Sequence, residues 1–191
     1  MKKFIHLRGS MAVGKTSAAR EFVSKGNFLD LEIKVSGKYY PYLYEKERNI
    51  VVTGRYNTRV CGGLDGIIKS KDLMIKYLAS IIKELNPDYI VFEAVMYGTT
   101  VKFAEELNSF VNKYGYLYRG LVFCPPLEIA IQRVFERNGG KQINIDNFVK
   151  TYEMSYRSFL VLKEKGYKVS LVDTSKYSKK DMFKIIQKEI E

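Results

Sequence analysis

The sequence contains few cysteines and no long apolar run, and both shortages limit the environments in which the protein can work. Cys61 and Cys124 are its only cysteines, and their wide separation fits neither a disulfide framework nor a Cys-x-x-Cys site. The apolar runs at 89–94 and 121–124 stop far short of the roughly 20 residues that a bilayer requires. The first eight residues lack the long apolar stretch and cleavage site of a signal peptide. We therefore expect a cytoplasmic protein with no membrane partner.

Acidic residues are also scarce relative to basic ones. The chain has 32 lysines and arginines against 21 aspartates and glutamates, which gives a formal net charge of +11. This excess indicates an anionic partner, either a nucleic acid or a small phosphate compound. Apolar residues make up 46% of the 191 residues, too large a share for a disordered chain. No repeat, low-complexity tract or linker divides the sequence, so we expect a single domain over residues 1–191.

Apolar residues are distributed in a way that predicts alternating strands and helices. Five predicted sheet strands span residues 4–7, 28–31, 89–94, 116–124 and 167–172. Two further β-favouring runs, 39–45 and 49–53, predict a hairpin. The first predicted helix ends near residue 24. The other predicted helices span residues 67–85, 99–113, 125–137, 145–165 and 178–190. This alternation predicts an α/β three-layer sandwich with a mainly parallel five-stranded sheet, to which the hairpin is a small insertion.

The strongest motif lies between the first predicted strand and the first predicted helix. Residues 9–16 read Gly-Ser-Met-Ala-Val-Gly-Lys-Thr and fit GxxxxGK[ST], the pattern of a phosphate-binding loop. Backbone N–H groups at a helix N-terminus attract polyphosphate. Lys15 would reach the β- and γ-phosphates, and the Thr16 hydroxyl would bind Mg²⁺. The predicted nucleotide-binding residues, with ATP as the default nucleotide, are Gly9, Ser10, Met11, Ala12, Val13, Gly14, Lys15, Thr16 and Ser17.

Glu93 follows the apolar run 89–92 and is the second candidate for the metal site. A carboxylate at the C-terminal end of a parallel strand faces the ligand crevice of an open α/β sheet. Glu93 would support Mg²⁺ there with Thr16 or orient an attacking hydroxyl; anchoring a neighbouring loop is the alternative. The sequence has no NKxD guanine-reading motif and no clear Walker B aspartate, which favours a small kinase over a GTPase or a motor ATPase.

Arg133 and Arg137 lie four positions apart and therefore share one helix face. The glycine pair Gly139-Gly140 follows them. In small P-loop kinases a helix of this kind leads into a mobile helical lid, whose arginines neutralise charge on the transferring phosphoryl group. We predict such a lid over about residues 133–146, with Lys15, Arg133 and Arg137 acting in catalysis. The alternative is an ordinary solvated helix face.

A second distinctive pattern follows the hairpin. The sequence reads Gly-Arg-Tyr at 54–56 and Gly-Gly-Leu-Asp at 62–65. Together with the P-loop, the aromatic hairpin, Glu93 and the late arginines, this pattern resembles the phage and large-virus P-loop kinases that include 5-hydroxymethyluridine DNA kinases. The resemblance implies a P-loop kinase fold that uses ATP and Mg²⁺. It also implies transfer of the γ-phosphoryl group to the 5-hydroxymethyl group of modified uracil in phage DNA, in a host cytoplasm, as a step in DNA hypermodification.

The hairpin and an acceptor loop together span about residues 38–66 in this interpretation. The predicted acceptor-binding residues are Arg55, Tyr56, Arg59, Gly62, Gly63 and Asp65. The arginines would meet DNA phosphates, Tyr56 would stack on a base and the glycines would allow close backbone approach. Asp65 would orient the attacking hydroxyl, although it could instead cap a helix that begins near Ile67. Asp30 and Glu93 are the other candidate bases.

Three rival functions fit the same residues. A small-molecule kinase would phosphorylate a nucleoside or nucleotide, and a polynucleotide kinase would phosphorylate a sugar-end hydroxyl. A non-enzymatic protein would bind ATP and DNA and transfer nothing. The net charge alone does not separate these functions, because any small kinase carries cations for its triphosphate.

Overall fold

A computed structural model describes residues 1–56, 63–64, 67–94, 98–139 and 143–191 of the chain. In this part of the chain seven strands form one sheet, which six α-helices and two short 3₁₀ turns accompany. The strands are β1 (Lys3–Arg8), β2 (Leu29–Val35), β3 (Lys38–Glu45), β4 (Ile50–Thr53), β5 (Tyr89–Glu93), β6 (Leu117–Phe123) and β7 (Val169–Val172). The helices are α1 (Lys15–Ser24), α2 (Lys71–Leu85), α3 (Val101–Asn112), α4 (Leu127–Arg137), α5 (Ile145–Glu164) and α6 (Phe183–Ile190).

The sheet has the strand order β2-β3-β4-β5-β1-β6-β7. The last five strands in this order are parallel, and β2 and β3 are added to them as antiparallel neighbours at one edge. The α/β class and the mainly parallel sheet are therefore confirmed. The predicted strand count is wrong, because the hairpin is part of this single sheet instead of an insertion outside it.

The second predicted strand also lies in a different place from the one expected. β2 is the edge strand at the opposite side of the sheet from β7, and it pairs antiparallel with β3. Ser36 and Gly37 form the two-residue turn between them, with φ of 49° and 84°. Left-handed φ at both turn residues is the geometry that sends a strand straight back along its neighbour. The parallel position next to β5 is filled by β4 instead.

Two predicted helix boundaries require correction as well. Helix α2 begins at Lys71, where the Ser70 hydroxyl accepts a hydrogen bond from the backbone N–H of Leu73 at 3.3 Å. The predicted start of this helix near Ile67 is therefore wrong, and Asp65, the residue considered as its cap, lies outside the described residues. The last helix is shorter than expected, because 3₁₀ turns at Thr174–Lys176 and Lys179–Asp181 precede α6.

Two apolar layers cover the sheet, one on each face. Phe4 of β1 packs in the layer formed with α2 and α3, and Ile5 packs in the layer formed with α1, α4 and α6. Burial on both faces explains why β1 and β5 read as continuous apolar runs. Both strands end at the same edge of the sheet, so Gly9 and Glu93 are brought together there. Within the described ranges, no helix has the length and hydrophobicity needed to cross a membrane.

A polar cluster is enclosed in the first of these layers. His6 and Arg8 of β1 are both fully buried. Arg8 donates from Nη1 to the Tyr118 hydroxyl at 3.4 Å, and that hydroxyl lies 2.9 Å from Nδ1 of His6. The Tyr118 hydroxyl therefore joins the two buried basic side chains of β1. The second Arg8 nitrogen donates to the Thr100 carbonyl at 2.9 Å and to the Ser158 hydroxyl at 2.7 Å.

His6 should make the protein sensitive to mild acid. Burial, reinforced by the positive charges of Arg8 and Lys15, holds the His6 pKa well below its usual value. The unfolded chain therefore takes up a proton near pH 6.5 that the folded protein refuses. We expect the free energy of unfolding to fall by up to about 1.4 kcal/mol per pH unit below about 6.5. Urea unfolding of the wild type at pH values between about 5 and 7.5 measures this slope.

His6 is the only histidine in the chain, so its contribution can be isolated. The variant His6→Phe should lose the slope in this pH range, whatever its absolute stability. A slope that persists in His6→Phe would assign the acid sensitivity to another group.

Candidate active site

A cavity of about 540 Å³ opens at the C-terminal edge of the parallel strands. Its walls come from the loop 9–16, the first turns of α1, Glu93 at the end of β5, and two arginines of α4. The predicted nucleotide and metal residues are therefore neighbours in space. This position, outside the carboxyl ends of the strands, is where ligands bind in open α/β sheets.

The loop between β1 and α1 has the backbone of a phosphate-binding loop. Gly9 and Gly14 have φ of 129° and 102°, which side chains with a Cβ rarely adopt. A Cβ on Gly9 would lie 2.7 Å from the carbonyl oxygen of Phe123, so only glycine fits. Ala12 also has a left-handed φ, 58°, which the sequence did not predict. No side chain caps α1, so the first N–H groups of that helix remain open to an anion.

Lys15 is folded into the centre of this loop. Only 3% of the residue is exposed, and its Nζ donates to the carbonyl oxygens of Gly9 at 2.9 Å and Ser10 at 2.5 Å. These two hydrogen bonds hold the ammonium group beside the loop N–H groups. A phosphate bound by the loop would meet this cation directly.

Glu93 joins the nucleotide loop to the chain that follows β4. Its Oε1 accepts a hydrogen bond from the Thr16 hydroxyl at 2.6 Å, and its Oε2 accepts one from the Tyr56 hydroxyl at 2.8 Å. The residue is 1% exposed. The two residues assigned to Mg²⁺, Thr16 and Glu93, are therefore in contact with each other.

The oxygen atoms of Thr16 and Glu93 fit a magnesium ion. Hydroxyl and carboxylate oxygens are the hard ligands that Mg²⁺ prefers, and the ion usually completes its shell with water and substrate phosphates. Among the described residues there is no cluster of three histidine, cysteine or acidic side chains that would hold a metal without a nucleotide.

The structure describes three of the six predicted acceptor residues: Arg55, Tyr56 and Gly63. Tyr56 is 5% exposed, so base stacking would require its ring to leave the position seen here. Arg55 is exposed and forms an ion pair with Glu32 at 3.1 Å. Gly63 lies against Glu93, since a Cβ there would be 3.2 Å from the Glu93 carbonyl oxygen. The other acceptor residues lie outside the described part of the chain and remain predictions: Arg59, Gly62 and Asp65.

Asp30 is not placed to act as a base at this site. It is the second residue of β2, the outermost strand. Strands β3, β4 and β5 lie between it and β1, a separation of about 19 Å at normal strand spacing. The sequence identifies the run 28–31 as a strand but does not show where that strand lies in the sheet.

Arg133 is held over the P-loop through Thr174. Its Nη1 donates to the Thr174 hydroxyl at 2.7 Å and its Nη2 to the Thr174 carbonyl at 3.4 Å. The same hydroxyl donates to the carbonyl oxygen of Val13 at 2.9 Å. Thr174 is fully buried, and a Cβ on Gly14 would lie 3.2 Å from its methyl carbon. Thr174 could not be predicted as a site residue from the sequence, in which its only signal is its position just after β7.

Arg137 also lines the cavity, at the exposed C-terminal end of α4. The next turn includes Gly139, with a φ of 62°. Residues 140–142 lie outside the described part of the chain, so a lid over about 133–146 stays a prediction. What the structure adds is that both predicted arginines face the same cavity as the P-loop.

Comparison with known proteins bears on the fold. No protein-family model matches the sequence, and no curated protein matches it either. The chain is similar to the tunicamycin resistance protein of Deinococcus radiodurans, with 15% identity, a TM-score of 0.57 and coverage of 100% of this chain and 96% of that chain. At this identity the similarity concerns the α/β fold alone.

Two further solved structures are more distant. One is a shikimate kinase from Acinetobacter baumannii in complex with shikimate, at 13% identity and a TM-score of 0.49, covering 100% of this chain and 93% of that one. The other belongs to the PezAT toxin–antitoxin system of Streptococcus pneumoniae, at 14% identity and a TM-score of 0.49, covering 100% and 86%.

The contact between Arg133 and Thr174 can be tested with a matched pair of substitutions. Thr174→Val keeps the shape but removes the hydroxyl, so Arg133 and the Val13 carbonyl each lose a partner. We expect the affinity for a non-hydrolysable ATP analogue to fall about tenfold, as measured by calorimetry. Thr174→Ser keeps the hydroxyl and should stay within about threefold of the wild type. Equal affinities of the two variants would show that the hydroxyl does not position Arg133.

Proposed function

We propose that this protein is an ATP-dependent phosphotransferase that acts on an alcohol group. The observation that carries the proposal is the convergence, on one cavity, of a P-loop with Lys15 at its centre, the Thr16–Glu93 pair and Arg133. Phosphoryl transfer requires positioning and charge neutralisation more than covalent chemistry. These residues provide both for a triphosphate.

Each residue has a defined task in this mechanism. The loop N–H groups and Lys15 bind the β- and γ-phosphates, and Arg133 and Arg137 neutralise charge that develops on the γ-phosphoryl group. Thr16 and Glu93 would hold Mg²⁺, which supplies Lewis-acid charge neutralisation when it is bound. An acceptor hydroxyl would approach from the side of Tyr56 and Gly63, in line with the bond to the leaving ADP. Asp65 is the proposed residue that orients this hydroxyl.

The proposed acceptor is the 5-hydroxymethyl group of 5-hydroxymethyluracil in DNA. The feature that supports it is the Gly-Arg-Tyr and Gly-Gly-Leu-Asp pattern after β4, and the net charge of +11 is compatible with a polyanionic acceptor. Because the cavity is a crevice at a sheet edge, a target base would leave the DNA stack to reach it.

A small-molecule alcohol is the second candidate acceptor. The observation that favours it is that two residues assigned to DNA are engaged within the protein. Arg55 is paired with Glu32, and the Tyr56 ring is buried. A free nucleoside or nucleotide would need neither residue to change its contacts.

The decisive experiment incubates the protein with γ-labelled ATP, Mg²⁺ and DNA that contains 5-hydroxymethyluracil. We expect phosphate on the modified base, identified by nuclease digestion and mass analysis of the nucleosides. Otherwise identical DNA with thymine is the control. Label on a free nucleoside or monophosphate but not on the DNA base would favour the small-molecule kinase, and label on a sugar-end hydroxyl would favour a polynucleotide kinase.

The variant Lys15→Ala separates an enzyme from a nucleotide-gated binding protein. Removal of a cation from the phosphates should lower the transfer rate by about 100-fold or more, while DNA binding persists. DNA binding without any phosphoryl transfer in the wild type would instead support the non-enzymatic function.

The ion pair between Arg55 and Glu32 provides a test of the DNA surface. Glu32→Gln frees Arg55 for a phosphate, so we expect DNA affinity to rise by about two- to fivefold at low salt, and to weaken more steeply as salt increases. Fluorescence anisotropy with labelled DNA measures both effects. Glu105→Gln is the matched control, because it removes the same charge from another exposed ion pair, with Lys165. Equal gains for the two variants would mean that only net charge matters.

A further inference from the structure

Tyr56 belongs to the Gly-Arg-Tyr pattern, yet its hydroxyl contacts Glu93, one of the two residues assigned to Mg²⁺. It follows β4, is 5% exposed, and donates its hydroxyl proton to Oε2 of Glu93 at 2.8 Å. Thr16 donates to the other oxygen, Oε1, at 2.6 Å. Each carboxylate oxygen thus has its own donor, one from the acceptor side and one from the nucleotide side.

Two hydrogen bonds on different oxygens fix the plane of a carboxylate. This matters more for glutamate than for aspartate, because glutamate has one more torsion between its backbone and its carboxylate. A buried carboxylate also needs hydrogen bonds to remain charged at low cost. If Thr16 were its only donor among the described residues, the carboxylate could still rotate about that hydrogen bond and change the position of Oε2. The Tyr56 hydroxyl removes that freedom.

Gly63 restrains the same residue from another direction. A Cβ at this position would lie 3.2 Å from the Glu93 carbonyl oxygen and 3.4 Å from its Cγ and Cδ. Glycine therefore lets the chain pack directly on Glu93. Two separate parts of the acceptor pattern, Tyr56 and Gly63, therefore contact the same residue, Glu93.

We infer that Tyr56 is a positioning residue for Glu93, and that its phenol holds the carboxylate where Mg²⁺ bound with a nucleotide can use it. This inference deepens the proposed function and rests on it for the identity of the metal and nucleotide. It assigns to the hydroxyl, and not to the aromatic face, the reason for a tyrosine at this position. It also makes the chain after β4 a direct physical link between acceptor and nucleotide.

The substitution Tyr56→Phe separates this role from base stacking. Phenylalanine keeps the ring, so a stacking residue would tolerate the change with little loss. A positioning residue would not, since Oε2 of Glu93 loses its donor. We expect the gain in affinity that Mg²⁺ gives to a non-hydrolysable ATP analogue to fall about tenfold. Affinity measured in EDTA should stay within about twofold of the wild type.

Tyr116→Phe is the matched control. Tyr116 is 1% exposed and donates its hydroxyl proton to the Pro87 carbonyl at 2.5 Å, so its substitution removes a comparable hydrogen bond at the edge of the sheet opposite the cavity. Its Mg²⁺-dependent gain should match the wild type. Calorimetry with and without Mg²⁺ gives this readout without any phosphoryl acceptor, so a wrong acceptor assignment would not affect it.

A double-mutant cycle tests whether Tyr56 acts through Glu93. In a Glu93→Gln background, Tyr56→Phe should cause little further loss, because its target is already removed. Gly63→Ala provides a second route if Tyr56→Phe does not fold, and it should also reduce the Mg²⁺-dependent gain by pressing on Glu93. The inference is overturned if Tyr56→Phe lowers affinity equally with and without Mg²⁺, leaves both unchanged, or adds fully to Glu93→Gln. Absence of any Mg²⁺-dependent gain in the wild type would overturn it too.

Discussion

The geometry of the crevice depends on a buried glutamate, Glu93, at the end of β5. A carboxylate that is 1% exposed is stable as an anion only when donors surround it, and here Thr16 and Tyr56 supply them from two separate segments. These contacts hold the first turn of α1 and the chain after β4 at fixed distances from β5. One side chain therefore positions both the start of α1 and the chain after β4 relative to β5.

Local signals account for what could be predicted from the sequence. The P-loop is recognisable because its glycines, lysine and threonine are contiguous and lie between an apolar run and a helical pattern. Glu93 and Arg133 were found for the same reason, since each follows from its place on a single strand or helix. The antiparallel edge was missed because a single turn, Ser36-Gly37, decides it, and the apolar run 28–31 looks the same in either kind of pairing.

Contacts between distant residues could not be predicted in this way. Thr174 touches Val13 across 161 positions, and Tyr56 touches Glu93 across 37. Nothing local distinguishes a tyrosine that stacks from one that donates a hydrogen bond to a carboxylate. Arg55 is a similar case, because its pairing with Glu32 depends on where β2 lies in the sheet. Such contacts can be assigned only once the strand order of the sheet is known.

The buried guanidinium of Arg8 has a mechanical consequence for the region around the predicted lid. It lies one residue before the P-loop and is bonded to Ser158 in the second half of α5 and to Thr100 at the start of α3. The second half of α5 is thereby fixed to the central strand by a buried hydrogen bond. Any movement of the predicted lid would therefore leave this half of α5 in place unless the bonds of Arg8 break.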